Sequence, residues 1–340
     1  MTFNSPKEKF IFFNIPIILF SLIPFFLVTG PFLSDFSISL IAVIFLIYCF
    51  KKNKFHYFKN RYFFFFLIFW FYLIFNSLIN NLNFDSLKIS FFYFRYGIFV
   101  IAIIALLEAD DKFIKYFFYC ILFCFIVLIF DGFYQYFFKE NILGWKSPPT
   151  RVSSFFGDEL ILGSFLSRMF FIFLSLTIFL NEKKKIYFTF FILVLIEILI
   201  YLSGERSAFV LLNLATIFFI CLAKNFRKLQ TLVFSISLIF ILIISQFNQS
   251  MNKRMIEETL SNLGFNGGEK IYIFSKLHET YFVTSLKMFK HNPFNGVGVR
   301  NYRNFCSDIK YQVSELSCST HPHNTYMELL AETGVIGFSF

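Results

Sequence analysis

The stretch IYFTFFILVLIEILIYLSGERSAFVLLNLATIFFICLA (Ile186–Ala223) consists of two apolar blocks separated by the short polar turn SGERS (Ser203–Ser207). Each block is close to the length with which an α-helix crosses a hydrocarbon core of about 30 Å. Backbone polar groups must be paired inside such a core, and a helix pairs them within itself. The stretch therefore predicts two membrane-spanning helices joined by a tight turn.

The same pattern extends along the whole chain of 340 residues. Hydrophobic residues make up 57% of the sequence and charged residues only 15%, whereas about a quarter of a soluble domain is charged. Membrane spans are predicted near 11–29, 32–50, 62–80, 87–108, 113–135, 158–180, 186–203, 207–223 and 229–247. We expect an all-α polytopic membrane protein, a helical bundle with about ten or more transmembrane helices.

A tenth apolar block begins near residue 325, and only about 15 residues remain before the sequence stops. This length is too short to cross a membrane as a helix. We therefore expect the C-terminus to be truncated, with further helices belonging to the protein.

The net charge of +10 comes from short basic runs between the apolar blocks. KKNKFHYFKNR (51–61), NEKKK (181–185) and KNFRK (224–228) are rich in lysine and arginine, whereas the facing turns TGP (29–31) and NNLNFD (80–85) contain neither. Lysine and arginine concentrate in the cytoplasmic loops of membrane proteins. We expect a cytoplasmic N-terminus and interpret the charge as a signal of topology rather than as a nucleic-acid-binding surface.

Three segments are then expected on the periplasmic side: 136–157, 203–207 and a long loop at about 248–324. Only the long loop is large enough to fold by itself. The sequence is divided on this basis into an N-terminal region, 1–150, with helices one to five and the second periplasmic segment, and a C-terminal region, 151–340. The C-terminal region contains helices six to nine, the long loop and the start of helix ten.

The long loop contains three local signals. NKRMIEETLSNLG (252–264) predicts a short helix that ends at Gly264, and KIYIFSKLHETYFVTSLKMFKHNP (270–293) predicts an amphipathic helix that ends before Pro293. PFNGVGVRNYRNF (293–305) predicts a glycine-rich turn.

After this turn, HPHNTYMELLAETGVIGF (321–338) places polar residues directly before an apolar run. Thr325 and Glu328 fit a capping box, which predicts that a helix begins at Thr325. His323 and Asn324 would lie just before its N-terminus, where unpaired N–H groups and the helix dipole favour an anion such as a diphosphate. The alternative is a capped helix beside a solvated loop histidine.

Four further residues of this segment have predicted surroundings. Glu328 and Glu332 lie one helical turn apart and are expected to face a polar cavity, because charges are costly in hydrocarbon. Gly334 and Gly337 would leave a surface of small residues on which another helix can pack closely.

Several motifs resemble those of the O-antigen ligase and polymerase superfamily. His323-Asn324, followed after nine residues by Gly334-Val335-Ile336-Gly337, is similar to the family pattern H-N-x9-G-x-x-G. NPFNGVGVRNY (292–302) resembles the P-x-x-G-V-G-x-x-N-F/Y element of the same outer loop. SGERSAF (203–209) is similar to the arginine-bearing turn of the family, and RVSSFFGDELILGSFL (151–166) to a segment of polymerase-like members. The motif glycines are Gly296, Gly298, Gly334 and Gly337.

The resemblance implies a C-type glycosyltransferase fold in the bacterial inner membrane, with the active site at the periplasmic face. Such an enzyme moves a glycan from undecaprenyl diphosphate to a membrane-anchored acceptor. In a ligase the acceptor is a lipid A–core sugar of lipopolysaccharide, and in a polymerase it is the next lipid-linked repeat unit. The resemblance implies no metal and no other cofactor. The expected partners are these glycan lipids and membrane lipids, and not nucleic acid.

The reaction type indicates which side chains to examine. Departure of a diphosphate builds up negative charge, which positioned arginines stabilise in a site of low dielectric constant. Arg206 is the predicted diphosphate contact, and His323 is predicted to accept or orient the proton of the acceptor hydroxyl. The remaining substrate-binding candidates are Arg151, Asn324, Arg300, Arg303 and Glu328.

These candidates have simpler interpretations as well. Arg206 would then be anchored by Glu205 or by a lipid phosphate, and Arg300 and Arg303 would belong to a solvated loop.

Two of the cysteines, Cys306 and Cys318, lie in the long outer loop, where oxidation is permitted. We expect a disulfide between them that fixes the segment leading to His323. A zinc site that also uses His321 and His323 is the alternative, although its spacing is unusual and Pro322 stiffens the segment.

Other classes of function stay open at this stage. A transporter or flippase would use buried arginines along a substrate path, but it should show inverted repeats or broken helices in both halves of the sequence. A structural membrane partner would leave the outer arginines and the histidine unexplained. The motifs do not separate ligase from polymerase, and other superfamily members transfer glycans to protein.

Overall fold

The structure is a computed structural model and describes residues 1–80, 83–180, 186–224, 226–265, 271–272 and 274–340. Within these residues the regular secondary structure is helical, apart from an isolated antiparallel bridge between Glu140 and Lys146. This agrees with the predicted all-α class. The predicted basic loop 181–185 lies outside the described residues, as do residues 81, 82 and 225 of two other predicted loops.

The principal helices follow the predicted apolar blocks. They are α1 (Pro6–Thr29), α2 (Pro31–Lys52), α3 (Arg61–Ile79), α4 (Phe84–Ala109), α5 (Phe113–Phe138), α6 (Leu162–Phe179), α7 (Ile186–Leu202), α8 (Arg206–Leu222), α9 (Arg227–Phe247), α10 (Lys276–His291) and α11 (Thr325–Phe338).

Seven helices in the described part of the chain, α1 to α6 and α9, are long and apolar enough to cross a membrane. Helices α7 and α8 are apolar but shorter. The protein is therefore a multi-pass membrane protein, while the expected total of ten or more spans stays a prediction.

Local signals explain where the helices of the long loop begin. Helix α10 begins at Lys276, later than its apolar periodicity suggested, because the Ser275 hydroxyl accepts a hydrogen bond from the His278 amide and caps the helix. Helix α11 begins at Thr325 as predicted. Its cap, however, is Asn324, which accepts hydrogen bonds from the amides of the second and third helical residues, in place of the expected Thr325–Glu328 box.

The chain forms two compact units: unit 1 comprises residues 1–13, 38–109 and 260–340, and unit 2 comprises 14–37 and 110–259. In unit 2, helices α5, α6, α8 and α9 all pack against α7. Apart from Glu197, helix α7 is largely apolar on all sides, which explains why most of its residues are buried. This helix ends at the turn that contributes the first part of the candidate site.

In unit 1, α3 packs against α4 and α11, and α10 packs against α11. A small core of Met288, Tyr302, Cys306, Tyr311 and Ala331 forms between the long loop and α11. Both units combine segments from each side of residue 150, so they divide the chain differently from the predicted regions 1–150 and 151–340.

Candidate active site

The short turn between α7 and α8 is closed by contacts with the segment that precedes α6. Gly204 has a φ of +65°, and a Cβ at this position would lie 2.7 Å from the carbonyl oxygen of Thr150. The amide of Val152 donates to the carbonyl of Leu202 at 3.0 Å. Only glycine suits a turn with this conformation and this close a backbone neighbour.

Arg151 is half-buried beside this turn. Its Nε donates to the carbonyl of Ser203 at 3.2 Å, and its Nη2 donates to the carbonyl of Leu160 at 2.6 Å. These carbonyls fix the guanidinium group without neutralising its charge. Burial lowers the pKa of Arg151, and the nearby positive charge of Arg254 adds to this effect.

Arg254 is a third arginine at the turn, and sequence reasoning did not select it. Its Nε donates to the carbonyl of Gly204 at 2.9 Å, and its Nη1 lies 3.6 Å from Glu258 Oε2. In the sequence, Arg254 and Glu258 have the i,i+4 spacing of an ordinary ion pair on a helix surface. That spacing gave no sign that Arg254 contacts a turn 50 residues away.

Arg206 is half-buried at the first position of α8, where its Nη1 lies 3.4 Å from the Thr259 hydroxyl. The adjacent Glu205 does not serve as its anchor. Its carboxylate instead accepts hydrogen bonds from the amides of Gly163 at 2.6 Å and Ser164 at 3.1 Å. Glu205 thus occupies the positive N-terminal end of α6.

Arg151, Arg206 and Arg254 together form what we call the arginine cluster. Burial lowers the pKa of Arg206, and the charge of Arg254 is the next cause. Three cations that are half-buried and close together repel one another, and an anion with two or more charges would relieve that repulsion. The arrangement can therefore bind a diphosphate.

Buried polar side chains of α5 hold the segment that carries Arg151. The fully buried Asp131 accepts hydrogen bonds from the amide of Ile142 at 2.9 Å and from the hydroxyl of Ser154 at 2.5 Å. Gln135 Oε1 accepts from the amides of Ser153 and Ser154. The position of Arg151 is thus set by hydrogen bonds that pair both oxygens of a buried acid.

His323 lies in unit 1, at the exposed end of the long loop, with a φ of +55°. Its Nε2 lies 3.2 Å from the Ser319 hydroxyl, and its ring centroid lies 4.3 Å from that of His321, 5.5 Å from that of Tyr281 and 5.9 Å from that of His278. Partial burial, followed by the charges of His321 and His278, lowers the pKa of His323. The imidazole is therefore neutral near pH 7 and can accept a proton.

The structure joins Cys306 to Cys318 in a disulfide, with their Cα atoms 5.1 Å apart. The bridge closes the loop segment immediately before His321 and His323. Because both sulfur atoms are bonded to each other, they do not act as metal ligands in this state of the protein.

The glycine-rich turn and the end of α11 pack directly on each other. Gly296, in the turn, has a φ of +64°. Gly334 has a φ of +63°, and this angle interrupts the regular helical geometry of α11. A Cβ on Gly296 would collide with the backbone of Glu332, and one on Gly334 would collide with the backbone of Phe294. These two glycines are therefore required by a backbone contact between the two motifs. The other two motif glycines are Gly298 in the turn and Gly337 in α11.

Hydrogen bonds complete this contact between motifs. The amide of Val297 donates to the carbonyl of Ala331 at 2.8 Å. Asn76 of α3 accepts a hydrogen bond from the amide of Val299 at 3.2 Å. Two elements that sequence analysis treated as separate motifs thus form one structural feature.

Glu332 corrects one expectation from the sequence. It was expected to face a polar cavity, but it is only 7% exposed and its carboxylate is bonded to backbone amides. Oε2 accepts from the amide of Arg300 at 2.6 Å, and Oε1 accepts from the amide of Tyr302 at 3.0 Å. Both oxygens of this acid are hydrogen-bonded within the protein, as buried polar groups generally are.

The other predicted site residues of unit 1 lie around this feature. Arg300 and Arg303 are exposed, and Glu328 is half-buried on α11. The Asn324 side-chain oxygen already accepts from the amides of Tyr326 and Met327, at 3.0 and 3.1 Å, as the cap of α11. Arg151 and Arg206 belong to unit 2, so the predicted residues form two groups, one in each unit.

Comparison with known families shows which class of protein the C-terminal part of the chain is similar to. Residues 190–340 match the family model described as O-antigen ligase. The match supports a relationship to the O-antigen ligase-related superfamily and indicates a glycosyltransferase-like activity in general. Comparison with curated proteins and with solved structures returned no match.

Proposed function

We propose that this protein transfers a glycan from undecaprenyl diphosphate to a membrane-anchored acceptor at the periplasmic face of the bacterial inner membrane. The O-antigen ligase reaction, with lipid A–core as the acceptor, is the primary assignment. Repeat-unit polymerisation by the same chemistry is the alternative. It is favoured by the likeness of 151–166, the segment that carries Arg151, to polymerase-like members.

The observation that carries the proposal is the arginine cluster. Its three guanidinium groups are half-buried, and two of them, those of Arg151 and Arg254, donate to backbone carbonyls of one short turn. Such donors are fixed before substrate arrives, and the carboxylate of the adjacent Glu205 is bonded to the amides of Gly163 and Ser164 rather than to Arg206. Preorganised positive charge of this kind stabilises a leaving group as its negative charge develops.

In the proposed reaction the oxygen of the acceptor hydroxyl forms a bond to the anomeric carbon of the donor glycan. The bond from that carbon to the phosphate oxygen breaks, and its electron pair leaves with undecaprenyl diphosphate. We assign the departing diphosphate to the arginine cluster. All atoms are accounted for without an additional reactant, because the donor already carries the leaving group.

His323 is assigned to the acceptor side of the reaction. Its lowered pKa keeps the ring neutral at neutral pH, so that a ring nitrogen is able to take the proton of the acceptor hydroxyl. The arginine cluster thus stabilises the leaving group, while His323 takes the proton. The histidine returns to its neutral form by releasing the proton to solvent.

The experiment that tests this function uses the full-length protein in a bacterial host lacking its own surface-glycan ligase. Lipopolysaccharide ladders are compared for wild type, Arg206→Ala and His323→Ala at matched membrane levels. Lys253→Ala, an exposed lysine next to the cluster, is the matched control. We expect a ladder with wild type and the control, and none with either site variant.

A parallel host lacking the O-antigen polymerase separates the two acceptors. Rescue there but not in the ligase-deficient host assigns the polymerase reaction. Rescue in neither host, or ladders unaffected by both site substitutions, contradicts the proposal and favours a transporter.

A further inference from the structure

The side chain of Glu332 links α11 to the glycine-rich turn through two hydrogen bonds. Its partners are the backbone amides of Arg300, at 2.6 Å, and Tyr302, at 3.0 Å. An acid that is 7% exposed is unusual, and this one is bonded to two amides rather than to a cation. Its carboxylate therefore fixes the course of the backbone.

The backbone that it fixes includes an unfavourable conformation. Arg300 has a φ of +59°, which residues other than glycine, asparagine and aspartate rarely adopt. The amide of Gly298 also donates to the carbonyl of Glu332, at 2.9 Å. Glu332 thus contacts the turn on both sides of Val299 and holds Arg300 in its left-handed conformation.

The side chain of Arg300 is exposed although its backbone is held by a buried acid. The charged groups that face Glu332 are Glu328 on the same helix and Arg303 in the turn. A turn that only closed the fold would not need an arginine at a left-handed position, where glycine fits without strain. The combination indicates that the position of the Arg300 guanidinium matters.

We propose that Glu332 is a positioning residue that holds Arg300 so that its guanidinium contacts an oxyanion of the lipid-linked substrate. This inference rests on the proposed glycan transfer, and Arg300 is the residue that touches substrate. Glu332 acts through it. Loss of the hydrogen bond to the Arg300 amide would weaken substrate binding and leave the chemical step largely intact.

The test uses purified full-length protein in liposomes with an undecaprenyl-diphosphate-linked glycan. Glu332→Gln keeps the shape of the side chain but replaces one accepting oxygen with an NH₂ donor, which faces a backbone N–H. Arg300→Gly removes the guanidinium and tolerates the positive φ. Glu315→Gln is the matched control, an exposed glutamate of the same unit.

We expect Glu332→Gln and Arg300→Gly each to raise the KM for the glycan lipid about tenfold, with kcat changed less than about twofold. The double variant should resemble Arg300→Gly alone, because both substitutions remove one contact. Glu315→Gln should match wild type. The proposal would be overturned if the KM of the double variant rose by the product of the two single effects. An unchanged KM in either single variant would overturn it as well.

Hydrogen exchange gives a readout that does not depend on activity. Exchange of the peptide containing 297–303 should accelerate in Glu332→Gln and not in Glu315→Gln. If wild type shows no transfer while this difference is observed, the proposed function fails and the backbone role of Glu332 stands alone. If neither Glu332→Gln nor Glu332→Asp yields folded protein, Glu332 is a residue of the fold and the positioning role is wrong.

Discussion

Arg254 shows how the role of a residue depends on contacts that are distant in sequence. By its spacing it belongs to a local ion pair with Glu258, at 3.6 Å, whereas its shorter contact is the 2.9 Å hydrogen bond to the carbonyl of Gly204. The second contact places its charge beside Arg151 and Arg206. Arg254 is therefore as strong a candidate for contacting the diphosphate as Arg151 and Arg206, which were found from sequence motifs.

We predict that Arg254→Ala lowers the efficiency of glycan transfer about tenfold or more. A hydrogen bond to a charged group contributes about 1.5–3 kcal/mol, and a factor of ten corresponds to about 1.4 kcal/mol. The measurement is kcat/KM for the lipid-linked donor, with Lys253→Ala as the control for loss of a nearby charge. Equal activity of the two variants would place Arg254 outside the site.

His323 permits a prediction about pH. Its pKa is lowered from 6.5 by partial burial and by His321 and His278, so the neutral base persists to lower pH than for a free histidine. Activity should rise with pH through this lowered pKa and stay level above it, which places the acidic limb of kcat/KM below about pH 6.5.

His278→Gln removes one of the neighbouring charges that oppose protonation of His323. The pKa of His323 should therefore rise, and the acidic limb should move to higher pH. His291→Gln, at the other end of α10, is the matched control and should leave the profile unchanged. An acidic limb that is the same in wild type and His278→Gln would show that His323 does not set it.

Helix α7, most of whose residues are buried, contains an acid without a hydrogen-bond partner among the described residues. Glu197 is fully buried, and neither carboxyl oxygen has a hydrogen-bond partner among the described residues. The hydroxyl of Ser237, which approaches it from α9, donates to the carbonyl of Val233 instead. An unpaired buried polar group costs about 1–3 kcal/mol, even without charge.

We therefore predict that Glu197→Met raises the apparent melting temperature of the detergent-solubilised protein by a few degrees. Methionine has a similar length and removes the unpaired polar atoms. Ser237→Ala, which leaves the acid in place, should not reproduce the increase. A lower melting temperature in Glu197→Met would mean that the carboxyl has a stabilising partner, and loss of transfer at normal stability would assign it a functional role.

The loop element closed by Cys306 and Cys318 gives a second prediction at this scale. Their sequence separation is 12, and a bridge across a loop of that size stabilises it by roughly 2–4 kcal/mol. Replacing both cysteines with serine should make the segment 307–317 more sensitive to limited proteolysis. Cys221→Ser, at an exposed free cysteine, is the control. Recovery of Cys306 and Cys318 as free thiols in unreduced wild-type protein would contradict the bridge.

The proposed chemistry requires a defined orientation of the whole molecule in the membrane, with the long loop on the periplasmic side. The long loop with Ile309 is expected in the periplasm, and the basic loop with Lys59 in the cytoplasm. Both residues are exposed, so each is a suitable position for a single labelling cysteine. In a Cys221→Ser background, a membrane-impermeant maleimide should label Ile309→Cys in intact spheroplasts. Lys59→Cys should react only after permeabilisation, and the reverse result would invert the topology.

The all-helical multi-pass membrane class, the approximate positions of the apolar helices, the start of α11 and the resemblance to the O-antigen ligase superfamily were all predictable from the amino-acid sequence. These features depend on the length and composition of continuous segments, which are local properties. The sequence also identified the glycine motifs and the two arginines that motifs contain, Arg151 and Arg206. It could not identify the contact between the motifs, because nothing in either one indicates that they pack together.

The hydrogen-bond partners of the buried polar residues became evident only from the three-dimensional packing. Asn76 bonds to a residue 223 positions away, Glu332 bonds to one 32 positions away, and Arg254 reaches back 50 positions to the turn. Such pairs form because buried polar groups must find partners wherever the packed helices bring them together. The choice of partner depends on how the helices pack, and a pattern along one segment does not contain that information.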